Sequence, residues 1–158
     1  MKKIIIFGLS IIMMLSFSSC LEYGLDELET YTDTKITAIN FEYRWMVPEN
    51  PNDPWSGEKL QVKTLTTQAE IKDGVVKCKI TVPNASGTFN EQVRNGVTLQ
   101  NIIAYLTISP GATVKAVGST PALGHKGDFS KSDLQYKVIS ADGKNQQEWQ
   151  LVIESFNK

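Results

Sequence analysis

This sequence predicts an all-β fold, a sandwich of about seven short strands, and three observations predict it. Ile39, Phe41, Tyr43 and Trp45 alternate with Asn40, Glu42 and Arg44, the two-residue period of a strand with one buried face. Asp73-Gly74 joins two further strand-like runs, and that dipeptide suits the positive backbone angles of a tight hairpin turn. Turn signals recur at short intervals through the rest of the chain, and outside Leu99–Ile103 no helical pattern lasts longer than a turn or two. Together these argue for two packed antiparallel layers of immunoglobulin type, although the Cys…Trp…Cys spacing of antibody domains is absent.

The chain opens differently. Lys2 and Lys3 form a basic start, Ile4 to Phe17 is an apolar run broken only by Gly8, Ser10 and Ser16, and Ser18-Ser19 lead into Cys20. This is the layout of a secretory signal peptide over residues 1–19. The run of 14 residues is short of the roughly 18–20 that span a bilayer, and a membrane-spanning anchor is the competing reading. Ser18-Ser19-Cys20 resembles the lipobox of bacterial lipoproteins, with Phe17 where Leu is usual. That resemblance implies that Cys20 is diacylated and becomes the new N-terminus, held at the outer membrane on its periplasmic face or at the cell surface. Two acyl chains anchor stably where one is marginal, at about 0.8 kcal/mol per buried methylene.

Residues 20–35 then read as a lipid-anchored acidic tether, with Glu22, Asp26, Glu27, Glu29 and Asp33 against Lys35. Such a stretch has little to bury, though Leu21, Leu25 and Leu28 have the spacing of a short helix. Acidic residues soon after the lipidated Cys also resemble the surface-export signal of Bacteroidetes lipoproteins; a plain solvated spacer is the alternative. Residues 36–158 form the sandwich domain. Losing residues 1–19 removes two of the 16 basic residues and none of the 17 acidic ones, so the remaining 139 residues carry a net charge of −3. No basic excess exists to neutralise phosphates, which argues against a nucleic-acid partner.

After the first strand, Leu60–Ile71 and Val75–Val82 form a hairpin through Lys72-Asp73-Gly74. Alternation in the second arm puts Cys78 on the apolar face, and with Cys20 lipidated it has no disulfide partner; a free buried thiol is expected. Lys77 and Lys79 fall on the solvated face, where they would discourage edge pairing. Ile102–Ile108 is a strand stopped by Pro110-Gly111, Ala112–Val117 a short one after it, and Leu134–Ser140 with Gln147–Glu154 the last hairpin, turning at Asp142-Gly143-Lys144-Asn145 with Trp149, Leu151 and Ile153 inward. Gly111-Ala112-Thr113-Val114, Gly127-Asp128-Phe129-Ser130, Leu134–Val138, Ser140–Gly143 and Trp149–Ile153 resemble the C-terminal half of Bacteroidales lipoproteins with immunoglobulin-like domains, some encoded among glycan-utilisation genes. The resemblance covers roughly residues 97–155. Two segments depart from it, the insertion Ser119–Lys126 and the Pro-rich loop near residue 50. It implies a fold and a cellular address, and names no active site.

Catalytic constellations are missing from the sequence. One His and two separated Cys cannot supply a structural zinc site. There is no G-x-S-x-G elbow, phosphate-binding loop or dinucleotide fingerprint. A non-enzyme without catalytic residues, metal or other cofactor is expected. The segment with functional texture is Val47–Gly57, where three prolines stiffen a loop carrying Asn52, Asp53 and Trp55. An aromatic face beside amide and carboxylate groups suits stacking on a sugar ring and bonding to its hydroxyls, and loops on a rigid scaffold are where binding residues gather. The plainer reading folds Trp55 back as a plug over the end of the sandwich. A third treats Glu49, Asn50, Asn52 and Asp53 as oxygen ligands for calcium. Tyr43, Trp45 and Trp149 sit at strand spacing and read as core or sheet-surface residues, and His125 as an exposed turn residue. The expected role is a binding or accessory module, through resemblance for glycans; the alternative is a structural or protein-interaction subunit of a surface assembly. Partners are then the membrane, through the lipid, and a glycan or a surface protein complex.

Overall fold

The computed structural model describes residues 31–158; the signal peptide, Cys20 and the Leu21–Leu28 spacing lie outside them. The described chain is all-β and sandwich-like. Its strands are β1 (Ile36–Pro48), β2 (Glu58–Lys72), β3 (Val75–Thr81), β4 (Ile102–Ile108), β5 (Thr113–Val117), β6 (Lys126–Gly127), β7 (Gln135–Ile139) and β8 (Gln146–Asn157), with one short helix α1 (Glu91–Asn95) after β3. They form a single curled sheet in the order β5-β7-β8-β3-β2-β1-β4-β6.

Continuity through β2 makes the curl. Residues up to Leu65 pair with β1, and from Thr66 onward with β3. Thr64, Thr66 and Thr67 at this changeover are branched residues that suit a pleated, half-buried surface. Phe41 and Ala104 from one half and Val76, Ile80, Tyr136, Val138 and Leu151 from the other share one core. Phe41 meets Phe129 edge-to-face at 5.6 Å between ring centres, a favoured aromatic geometry.

Alternation is interrupted where it must be. Ile36 and Ile39 are both buried although three residues apart, because β1 advances from Ile36 to Ala38 while β4 moves by one residue. The extra residue of this bulge restores the inward phase. β8 shows a similar register shift, which leaves Glu154 out of the pairing with β3, so that Phe156 packs on the core after Ile153. At the β2–β3 turn, Asp73 and Gly74 both have positive φ, 50° and 78°, as the dipeptide predicted.

Several expectations are corrected. Leu99–Ile103 is not helical: Asn101 accepts from Thr98 N at 2.8 Å and donates to Gly96 O, a local turn that launches β4 with Ile102 and Ile103 both buried. The helix forms at α1 instead, where Asn90 caps the first turn by accepting from Val93 N at 2.9 Å. β3 lies inside the sheet between β2 and β8, so Lys77 and Lys79 guard no edge; they are exposed on the face of an interior strand. The β3–β8 pairing is parallel, and the sequence pattern contains nothing that marks it.

The insertion Ser119–Lys126 belongs to a crossover. From β5 at one sheet edge the chain crosses to the other edge, adds β6 beside β4, and returns to β7. Tyr136 donates to Pro121 O at 2.8 Å and Gln135 N to Thr120 Oγ1 at 2.8 Å, which ties the crossover down. Gly127 is required there, since a Cβ would sit 2.3 Å from that of Pro121. Cys78 is buried and unpaired; desolvation, then the nearby Glu154 carboxylate, push its thiol up to about 12.

Candidate functional site

The β1–β2 connection holds its shape with its own polar groups. Glu49 N donates to Gly57 O at 2.7 Å, Asp53 N to Asn50 O and Ser56 N to Asp53 O. Asn50 Oδ1 accepts from Asn52 N at 3.0 Å, and Asp53 Oδ1 from Trp55 N at 2.9 Å. Ser56 closes the turn, its hydroxyl accepting from Asn50 N and donating to Asn50 O. Asn, Asp and Ser side chains favour such local bonds over a strand ladder, and the prolines narrow the alternatives.

Trp55 is therefore presented to solvent, with 93% of its surface exposed. This corrects the plug reading: the ring covers no end of the sandwich, because the loop bonds to itself and turns outward. Asn52 and Asp53 lie exposed in the same turn, so the three candidate ligand-binding residues share one small loop. Asn50 Oδ1 and Asp53 Oδ1 each accept a backbone N–H from within the loop. Among the described residues no group of three or more His, Cys, Asp and Glu is placed to hold a metal ion.

A second group of residues appears on the outer face of the sheet below this loop. On β1 the outward positions run Asn40, Glu42, Arg44, Met46, with Leu60 and Val62 of β2 beside the last two. Met46, Leu60 and Val62 are each about half exposed, which is unusual for three neighbouring apolar residues on one strand pair. Glu42 Oε1 accepts from Arg44 Nε at 2.6 Å and from Tyr105 Oη of β4 at 2.9 Å, while Arg44 Nη2 also donates to Tyr105 Oη. Desolvation and donation to Glu42 hold the Tyr105 phenol above its ordinary value.

Two hollows flank this triad. One, of about 430 Å³, is lined by Asn40, Glu42, Thr64 and Tyr105. The other, of about 500 Å³, lies against Arg44, Trp45, Met46, Leu60, His125 and Lys126. His125 is an exposed turn residue, as the sequence predicted, and the crossover brings it to this face. Tyr43 and Trp45 stack at 6.0 Å on the inner side of β1, and Trp45 packs on Phe89 at 5.4 Å; its indole N–H has no partner among the described residues. Sequence reading missed the triad. Its available signal was weak: polar residues at the outward phase of β1, and a Tyr at the outward phase of β4.

Comparison with known proteins fits this architecture. The DUF5018-related family model matches residues 36–152. This chain belongs to the DUF5018-related family. The family match starts at β1 and so is wider than the C-terminal stretch on which the sequence resemblance rested. Among solved structures, the DUF5018-related chain is similar to a putative secreted protein of Bacteroides fragilis, with 26% identity and a TM-score of 0.71 over 82% of this chain and 99% of that one. A putative glycoside hydrolase of Bacteroides thetaiotaomicron also matches, at 17% identity and a TM-score of 0.40, over 82% of this chain and 27% of that one. No curated protein sequence matches. No helix among the described residues is long and apolar enough to cross a membrane.

Proposed function

We propose that this DUF5018-related chain is a lipid-anchored, non-catalytic binding or accessory module of the outer membrane that takes glycans. Residues 1–19 are its signal peptide, Cys20 carries the lipid, residues 20–35 are the tether and residues 36–158 the binding domain. The observation that carries the glycan element is Trp55, a large aromatic face left almost wholly in water on a loop stiffened by prolines and its own hydrogen bonds. Such a group adds nothing to the core, yet is pre-organised for a ligand, with Asn52 and Asp53 beside it to meet hydroxyls. Similarity to a putative secreted protein of Bacteroides fragilis supports export.

The test is a glycan array probed with the full chain in detergent, beside a pull-down from the membrane fraction. Array binding that Trp55→Ala abolishes supports the glycan reading. Met46, Leu60 and Val62 favour a second reading, a protein-interaction subunit docking through the β1–β2 face; stoichiometric capture of one surface protein, with an empty array, would select it. Anchoring is tested separately: Cys20→Ser should leave the membrane fraction, and cleaved, still membrane-bound protein would count against lipidation.

A further inference from the structure

We propose that Glu42, Arg44 and Tyr105 on the outer face of β1 and β4 form a saccharide subsite for a neutral sugar bearing adjacent hydroxyls. This rests on the glycan-binding reading and gives it a second contact, on rigid strands and apart from the Trp55 loop. Glu42 and Arg44 are two residues apart on one strand and so share a face, and Tyr105 reaches them from the neighbouring strand. The three groups hold one another: Glu42 Oε1 takes both bonds, and Arg44 braces the phenol oxygen. Glu42 Oε2 and Arg44 Nη1 are left without a protein partner among the described residues. A sugar ring lying against this group can meet both, one hydroxyl donating to the carboxylate and another accepting from the guanidinium.

The setting is that of a binding site more than of a surface ion pair. Glu42 and Arg44 side chains are 17% and 35% exposed at 2.6 Å, whereas Lys72–Asp73 and Lys79–Glu154 stand 3.8 Å apart, with every partner more exposed than Arg44. The adjoining hollow of about 430 Å³ falls within the roughly 300–1,000 Å³ of small-ligand sites. Tyr105 gives it an apolar ring edge, and Thr64 and Asn40 line it with further hydroxyl and amide groups. Because Glu42 cancels the charge of Arg44, the subsite should select neutral sugars over acidic ones.

The experiment uses the full chain in detergent, a printed array of neutral and acidic oligosaccharides, and calorimetry with the tightest neutral oligosaccharide on it. Glu42→Gln and Tyr105→Ala should each weaken that affinity at least tenfold while unfolding near the wild-type temperature. If either variant unfolds early, Thr64→Trp, which fills the hollow from an exposed position, must block binding in its place. Neutral binding lost in Trp55→Ala but unchanged in Glu42→Gln, Tyr105→Ala and Thr64→Trp overturns the subsite and leaves the glycan reading standing. An array on which nothing binds removes both. Binding confined to acidic glycans, and strengthened by Glu42→Gln, overturns the proposal by making Arg44 an anion site.

Discussion

The curled sheet turns two outer faces to solvent, and the same strand, β2, contributes to both. At its far end Gln68 and Glu70 stand opposite Lys79 and Lys77 of β3, and Lys79 pairs loosely with Glu154 of β8. The hollows there are small, about 210 and 220 Å³, and lined mostly by charged side chains. At its near end the same outward phase presents Leu60 and Val62, next to Met46, the Glu42–Arg44–Tyr105 triad and hollows about twice as large. Both faces obey one alternation. A charged face is solvated at almost no cost and discourages association, whereas apolar and aromatic groups left in water carry a cost that a partner would relieve. The contrast teaches that alternation assigns side chains to the outside, and only their chemistry says whether that outside is for water or for a partner.

What the two faces share is the layer beneath them, and removing it should cost most. Phe41→Ala deletes the ring packed on Phe129 and should destabilise the domain by about 3–5 kcal/mol, measured by urea unfolding. A loss under about 1 kcal/mol would mean that the two halves do not share a core.

The next effect lies under the charged face, at Cys78. Its thiol titrates higher folded, at about 12, than its ordinary 9.0, so the folded state holds the proton more tightly. The stability this gives is complete below about pH 9 and is lost as pH rises toward 12. At about pH 10.5 the loss should be on the order of 2 kcal/mol, and Cys78→Ala should show a correspondingly flatter alkaline profile in the same unfolding assay. Identical profiles, or rapid thiol labelling of the native protein, would show that the face under Lys77 and Lys79 is open to solvent.

In the β1–β2 loop, Trp55→Ala should weaken a measured glycan affinity at least tenfold, about 1.4 kcal/mol, with unfolding unchanged. A folded variant with full affinity would place the ligand elsewhere. The smallest effect completes the contrast: Lys77→Ser and Lys79→Ser should each shift stability by no more than about 0.5 kcal/mol, and leave glycan binding as it was. A large loss of binding in either would erase the distinction between the faces.

Much of this molecule was legible from residue order, in uneven measure. The inward residues of β1, the burial of Cys78, the Asp73-Gly74 turn and the inward phase of Trp149 and Leu151 all follow from period and turn chemistry. The stiffness of the loop around Trp55 was also legible, from its prolines and its Asn and Asp residues. The outward aim of the ring was not, because it depends on whether Ser56, Asp53 and Asn50 bond within the loop or to the sandwich. Glu42, Arg44 and Tyr105 were each visible as outward residues, yet nothing in their spacing says that β4 lies beside β1.

The sequence by itself determined the longer strands, which side of each is buried and where the chain must turn sharply, because these depend on side-chain period and on the backbone angles of a few residues. Only the tertiary structure decided that β2 carries the sheet through its curl, that β3 and β8 run parallel, that residues 118–134 cross to the opposite edge to add β6, and that a carboxylate, a guanidinium and a phenol meet on one face. Those are choices of neighbour. Alternation is satisfied equally by any partner strand of matching phase, so neighbours are selected by how the whole core packs, across separations that no local pattern reports.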